Sequence, residues 1–166
     1  MSYSKTKENI SSSFSVSRSP EHPEHTAKPS LPHHQLPSLP TVSMHRPTSV
    51  PSVVDSITET WSPRLVASIN DHHVKVAKID GEFIWHAHPD SEELFYLLSG
   101  KLQMQIEGQD PVVMAEGDVF VVPKGVRHRP VAENATIMMV EHQSTVNTGD
   151  EAGSERTKQI VDARGN

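Results

Sequence analysis

Two histidines one residue apart, His86 and His88, are followed by the acids Glu92 and Glu93 and, further on, by a third histidine, His128. Imidazole nitrogen and carboxylate oxygen together suit divalent iron, manganese, nickel, copper or zinc, and ligand type alone does not choose among them. Cysteine is absent, which excludes disulfides, thiolate metal sites, iron–sulfur clusters and cysteine nucleophiles. No Ser-His-Asp order, phosphate loop or nucleotide fingerprint is present, so chemistry in this chain starts from the histidines and acids. A bare HxH pair is a weak sign, because histidines near a loop are often simply solvated. It gains meaning on a strand, where side chains two apart share a face: His86 and His88 then point one way, Trp85 and Ala87 the other. The same alternation groups Glu93 with Phe95 and Leu97, and Glu92 with Leu94, Tyr96 and Leu98, and does not decide which acid joins the histidines.

The elements that must position these groups are short strands. From Arg64 to His142 the pieces LVASI, VKVAKI, EFIWHAH, ELFYLL, LQMQI, VVMAE, DVFVV and TIMMVEH are rich in β-branched and aromatic residues. Between them stand Asn70-Asp71, Asp80-Gly81, Ser99-Gly100, Gly108-Gln109-Asp110-Pro111 and Glu116-Gly117-Asp118, residue types that accept tight turns. Gly100 and Gly117 read as hairpin turns. Pro123-Lys124-Gly125 reads as a turn that aims His128, with Glu93 starting a strand that returns alongside the HxH segment. Segments this short leave no room for the long helices of parallel α/β crossovers, so the fold class is all-β: a small antiparallel β-barrel or jelly roll. Met104, Met114, Met138 and Met139 read as core filling.

The two stretches GEFIWHAHPDSEELFYLLSG and GDVFVVPKGVRH resemble the two signature motifs of the cupin family, over roughly residues 61–145. The first motif matches through HxH, four residues, Glu, six residues and Gly100; the second through Gly117, Pro123, Gly125 and His128. Two departures stand out: four residues rather than the usual five separate Gly81 from His86, and Ala132 occupies a position where the second motif often has Asn. The resemblance implies a double-stranded jelly roll in which His86, His88, Glu93 and His128 hold one divalent metal ion. It selects Glu93 over Glu92, which becomes a solvated or neighbouring acid. It also implies kinship with stand-alone cupins similar to mannose-6-phosphate isomerase, and hence a metal-dependent oxygenase, other oxidoreductase or isomerase acting on a small oxygenated metabolite, such as a tailoring step in natural-product metabolism. The alternative is a non-catalytic cupin that binds or senses a small molecule or sugar. Tyr96, Glu92 and Gln103 are the polar residues available for recruitment, and Arg127 and Arg129 beside His128 either attract an anion or form a solvated rim.

A chain of 166 residues with 34% hydrophobic and 5% aromatic content has material for one modest core. Residues 1–51 read as a disordered Pro/Ser/His-rich leader, residues 52–145 as the barrel preceded by a short helix or arm in SVVDSITET, and residues 146–166 as a polar C-terminal tail. Eight of the 13 prolines fall in the leader, which lacks the apolar surface to offset its ordering entropy. Its histidines at 22, 25, 33, 34 and 45 are explained by a solvated tail. From residue 61 onward 10 Lys and Arg face 16 Asp and Glu. No basic stripe is there to displace counterions from phosphates, so nucleic acid is not expected as a partner. No apolar run approaches the roughly 20 residues that span a bilayer. Lys5, Lys7 and Arg18 among serines make mitochondrial import the alternative to a cytoplasmic location. A small core with exposed strand edges points to a homodimer.

Overall fold

The computed structural model describes residues 46–165. Most of the leader, including all five of its histidines, lies outside the described residues. The first element is a short helix, α1 (Val50–Ser56), started by the Ser49 side chain, which accepts from the Ser52 N–H, and by a proline in the first turn. It begins earlier than the SVVDSITET reading and stops at Ile57, whose backbone is extended. Val53 and Ile57 bury against Val66, Val74 and Val76, closing the outer face of the first two strands.

Seven strands follow: β1 (Arg64–Ile69), β2 (His72–Glu82), β3 (Glu93–Ile106), β4 (Val112–Met114), β5 (Val119–Val122), β6 (His128–His142) and β7 (Val161–Asp162). Their order is β4-β3-β6-β2-β1-β7, with β5 also on β3. All pairings are antiparallel except that of β1 with β7. The sheet curls into a jelly roll whose hydrogen bonding does not close into a barrel.

Two features of the strand reading are corrected. ELFYLL and LQMQI are one continuous 14-residue strand, and Gly100 lies inside it instead of at a hairpin tip; the Gly117 turn likewise makes no hairpin, because β4 and β5 on either side of it both pair with β3 and not with each other. Gly100 has φ +86°, and a Cβ there would meet the Asn134 carbonyl oxygen at 2.4 Å. Asn134, in the middle of β6, is itself left-handed at φ 43°. The ladder slips register on both sides of Ser99. Two paired strands therefore bend at one corner, where a side chain on Gly100 would hold the backbones apart. The second correction concerns EFIWHAH: the strand ends at Glu82, and the HxH segment is a loop with a single bridge, His86 to His128. Glu93 returns alongside β6, not alongside this loop.

The bend matters because it folds the β3–β6 ribbon over itself. Residue Glu93 pairs with Glu141 at one end of the ribbon, and Ile106 pairs with His128 at the other. A straight strand would set His128 and Glu141 roughly 40 Å apart. Instead His128 Nε2 comes within 3.3 Å of Glu93 Oε2. Inside the roll lie Phe95, Leu97, Leu102 and Met104 of β3, Ala135 and Ile137 of β6 and Ala77 and Ile79 of β2. Met104 and Met114 are buried in this core, Met139 packs against it, and Met138 packs on the α1 side.

The segment after β6 packs onto the roll. Thr148 is fully buried, Lys158 pairs with Glu59 at 2.7 Å, and Ala163 donates its N–H to Leu65.

Candidate metal centre

His86, His88, Glu93 and His128 come from a loop, the first residue of β3 and the first residue of β6, and all four are buried. Each offers one ligand atom, and these atoms lie within 4.8 Å of one another. Glu92 is exposed while Glu93 shares the inner face with Phe95 and Leu97, so the alternation left open by the sequence is resolved by burial.

Three backbone contacts hold the HxH loop where a strand would otherwise be needed. His86 and His128 exchange N–H···O=C bonds of 3.0 and 2.9 Å, and Gly125 donates to the His88 carbonyl at 2.8 Å. Ala87 donates to Asp150 Oδ1 at 2.8 Å, and the Asp150 N–H returns to the Ala87 carbonyl at 3.0 Å. Asp150 sits in a 3-10 turn, Gly149–Glu151. Gly149 precedes it because a Cβ at this position would fall 2.0 Å from the Ala87 carbonyl oxygen.

The ring nitrogens are oriented by the chain itself. His86 Nδ1 donates to the Ile84 carbonyl and His128 Nδ1 to the Val126 carbonyl, both at 3.0 Å. A carbonyl can only accept, so the proton is on Nδ1 and the neutral ring presents a bare Nε2 lone pair to the centre. His88 Nε2 and His128 Nε2 each stand 3.3 Å from Glu93 Oε2, yet among the described residues none of these three atoms has a hydrogen-bond partner. They are charge contacts: Glu93 Oε2 and His128 Nε2 both carry lone pairs, and His88 faces the same carboxylate oxygen. Such a buried arrangement is stable only around a positive charge, a proton or a cation. Ligand distances of about 2.1 Å to a divalent ion imply neighbouring donors roughly 3 to 4 Å apart, and the two contacts of Glu93 Oε2 with His88 and His128, at 3.3 Å, have that spacing. The residues fit a metal.

Burial, then the neighbouring His128, pushes His86 down to about 4. Burial also lowers His88, but the close contact and charge of Glu93 outweigh it and the net shift is upward. Glu93 is raised by burial, and the contacts with His128 and His88 overcome this and hold it below the usual carboxylate range.

A cavity of about 40 Å³ adjoins the centre, lined by His86 and Glu93 and by apolar groups that include Phe83, Phe95, Ile137 and Met139. It also holds a residue that sequence reasoning missed. Glu141 is 2% exposed, one carboxylate oxygen accepts from Lys75 Nζ at 2.5 Å, and the other has no partner among the described residues. Burial and the charge of Glu93 push its carboxyl up to about 7 against the pull of Lys75. Strand phase could have found both residues: Lys75 alternates with Ala77 and Ile79, and Glu141 with Met139 and Ile137, so each is a charge in a core position.

Residues 72–142 match the cupin domain family. The protein YdbB of Bacillus subtilis (strain 168), itself uncharacterised, is 33% identical over 93 residues, 55% of this chain and 82% of YdbB. The chain belongs to the cupin family. Among solved structures, a cupin-2 domain containing protein from Shewanella frigidimarina NCIMB 400 is 37% identical, with 52% of this chain and 83% of that one covered and a TM-score of 0.49. Protein NMB1881 from Neisseria meningitidis is 25% identical, with 57% and 96% covered and a TM-score of 0.53.

In this cupin the two arginines beside His128 are already engaged. Arg127 contacts Asp150 at 3.4 Å and Glu151 at 3.2 Å, and Arg129 pairs with Glu82 at 2.7 Å and lies over the Trp85 ring. They brace the rim. Tyr96, Glu92 and Gln103 do not line the cavity.

Proposed function

We propose that this cupin is a metal-dependent enzyme of the oxidoreductase or isomerase type, in which His86, His88, Glu93 and His128 hold one divalent ion and a small oxygenated metabolite enters the adjoining cavity. The observation that carries the reading is the convergence of Glu93 Oε2, His88 Nε2 and His128 Nε2 in a buried cluster without hydrogen-bond partners, next to a cavity that His86 and Glu93 share. Four protein ligands leave up to two positions on an octahedral ion, where it would act as a Lewis acid on an oxygen or, as a redox metal, support oxidation.

The chain's own residues supply the rest. Carbonyls of Ile84 and Val126 fix the tautomers of His86 and His128, so both present unprotonated Nε2. The apolar wall of Phe83, Phe95, Ile137 and Met139 excludes bulk water and strengthens electrostatic contacts within the cavity. Glu141 brings a carboxyl to that wall, poised near neutrality by burial, a property suited to moving a proton.

The test is elemental analysis of protein purified from its own host without added metal, followed by oxygen-uptake and isomerisation assays on small hydroxy and keto compounds. About one ion per chain, with turnover lost in His86→Ala, supports the enzyme. A metal-free wild type that takes up none of the five candidate ions overturns it, and binding of a metabolite without turnover moves the function to sensing.

A further inference from the structure

One buried ion pair at the cavity is not accounted for by the fold. Removing an ammonium and a carboxylate from water is costly, and apolar residues of similar volume in their place are often neutral or stabilising. The neighbours of Lys75 and Glu141 on the same faces, Ala77, Ile79, Ile137 and Met139, are apolar, so the pattern of β2 and β6 would accept an apolar pair. What the pair provides is an oriented carboxylate. Lys75 engages Oε1, which leaves Oε2 as the unused acceptor of a residue lining the cavity beside His86 and Glu93.

We propose that Glu141, clamped by Lys75, is a specificity-determining acceptor that takes a hydrogen bond from an O–H or N–H of the cavity's ligand, on an atom next to the one that offers its oxygen to the metal. This rests on the reading of the four ligands as a metal centre. Glu93 and Glu141 are direct partners on antiparallel strands, with Cα atoms in such pairs about 4.5–5.5 Å apart. Their carboxyls therefore stand side by side on the inner face. That spacing suits two polar groups on adjacent atoms, as in a 1,2-diol, an α-hydroxy carbonyl compound or a hydroxamate. Apart from Asn147 the remainder of the wall is apolar, and with a volume of about 40 Å³ it keeps the rest of the ligand small and mostly hydrocarbon.

The test compares acetohydroxamic acid with its N-methyl counterpart, which offer the same two oxygens and differ in the N–H. Both are titrated calorimetrically into zinc-loaded wild type and Glu141→Gln at about pH 8.5, on the alkaline side of the raised Glu141 carboxyl. Gln still offers Lys75 an acceptor but turns the free oxygen into an amide donor. A bond to a charged acceptor predicts a wild-type preference for the N–H compound of about tenfold or more. That preference falls to within about threefold in Glu141→Gln, and the bulk of the methyl group cancels between the two proteins. A second variant, Lys75→Met with Glu141→Leu, removes both charges. It melts no lower than wild type, keeps its zinc and loses the preference. Full zinc content with no wild-type preference, or with a preference that survives in either variant, overturns the role of Glu141 and leaves the metal centre standing. A wild type that binds no zinc overturns both.

Discussion

At the scale of single residues, the adjacent acids Glu92 and Glu93 separate a proposed metal ligand from a bystander. Glu93→Ala is expected to cut bound metal to below about a tenth of wild type, while Glu92→Ala, at an exposed position, leaves metal content unchanged; equal losses in elemental analysis would refute the assignment. The protonation of His88 gives a second prediction. Its folded pKa is raised, so its interaction with Glu93 stabilises the metal-free protein fully below the unfolded value of about 6.5 and is lost as pH rises through the folded one. Metal requires the same ring unprotonated, so affinity moves the opposite way. The increase in melting temperature on adding zinc should therefore grow between about pH 6 and about pH 8. Thermal melts with and without zinc would show this, and an increment that stays level or shrinks would remove His88 from the site.

At the scale of elements, most of the strand content was legible from alternation and β-branched composition, and the family was legible from two motifs. Where strands end was less so. Local residue types at Ser99-Gly100 are those of a turn, and nothing nearby reports that Asn134, distant in sequence, must approach the same backbone. The HxH loop was read as a strand because Phe, Ile and Trp favour one, whereas its place is set by hydrogen bonds from Gly125 and Asp150, which no local pattern reveals. Lys75 and Glu141 were missed for a different reason: their charge suggested solvent, although their phase in β2 and β6 placed them with the core. Two glycines test this account. Gly100→Ala forces a Cβ into the Asn134 carbonyl at positive φ, and a loss of about 3 kcal/mol is expected in denaturant unfolding. Gly149→Ala instead pushes on Ala87 between the two histidines of the proposed metal centre, so its larger effect should be on metal affinity. Equal effects of the two changes on both measurements would contradict the division of labour.

At the scale of the molecule, the C-terminal segment and the region before β1 are stitched together. Lys158 meets Glu59, β7 extends the sheet beside β1, and the Gly165 N–H reaches Thr48. The segment also carries Asp150, which caps the HxH loop. Truncation after His142 is therefore expected to lower the melting temperature and to weaken metal binding by about tenfold or more, because the loop loses a hydrogen bond to a charged acceptor. Unchanged affinity in the truncated chain would show that β6 and the Pro123–Gly125 turn are enough to hold the loop.

The corner shared by Gly100 and Asn134 has a kinetic consequence. His128 and Glu93 meet only after the ribbon is paired and then creased, so an ion at the proposed centre would join parts of the chain that a folding nucleus has no reason to have assembled. A latch that fastens after the rate-limiting step leaves the speed of folding alone and slows opening. Zinc should thus lengthen the lifetime of the native state while refolding proceeds at the same pace with or without it.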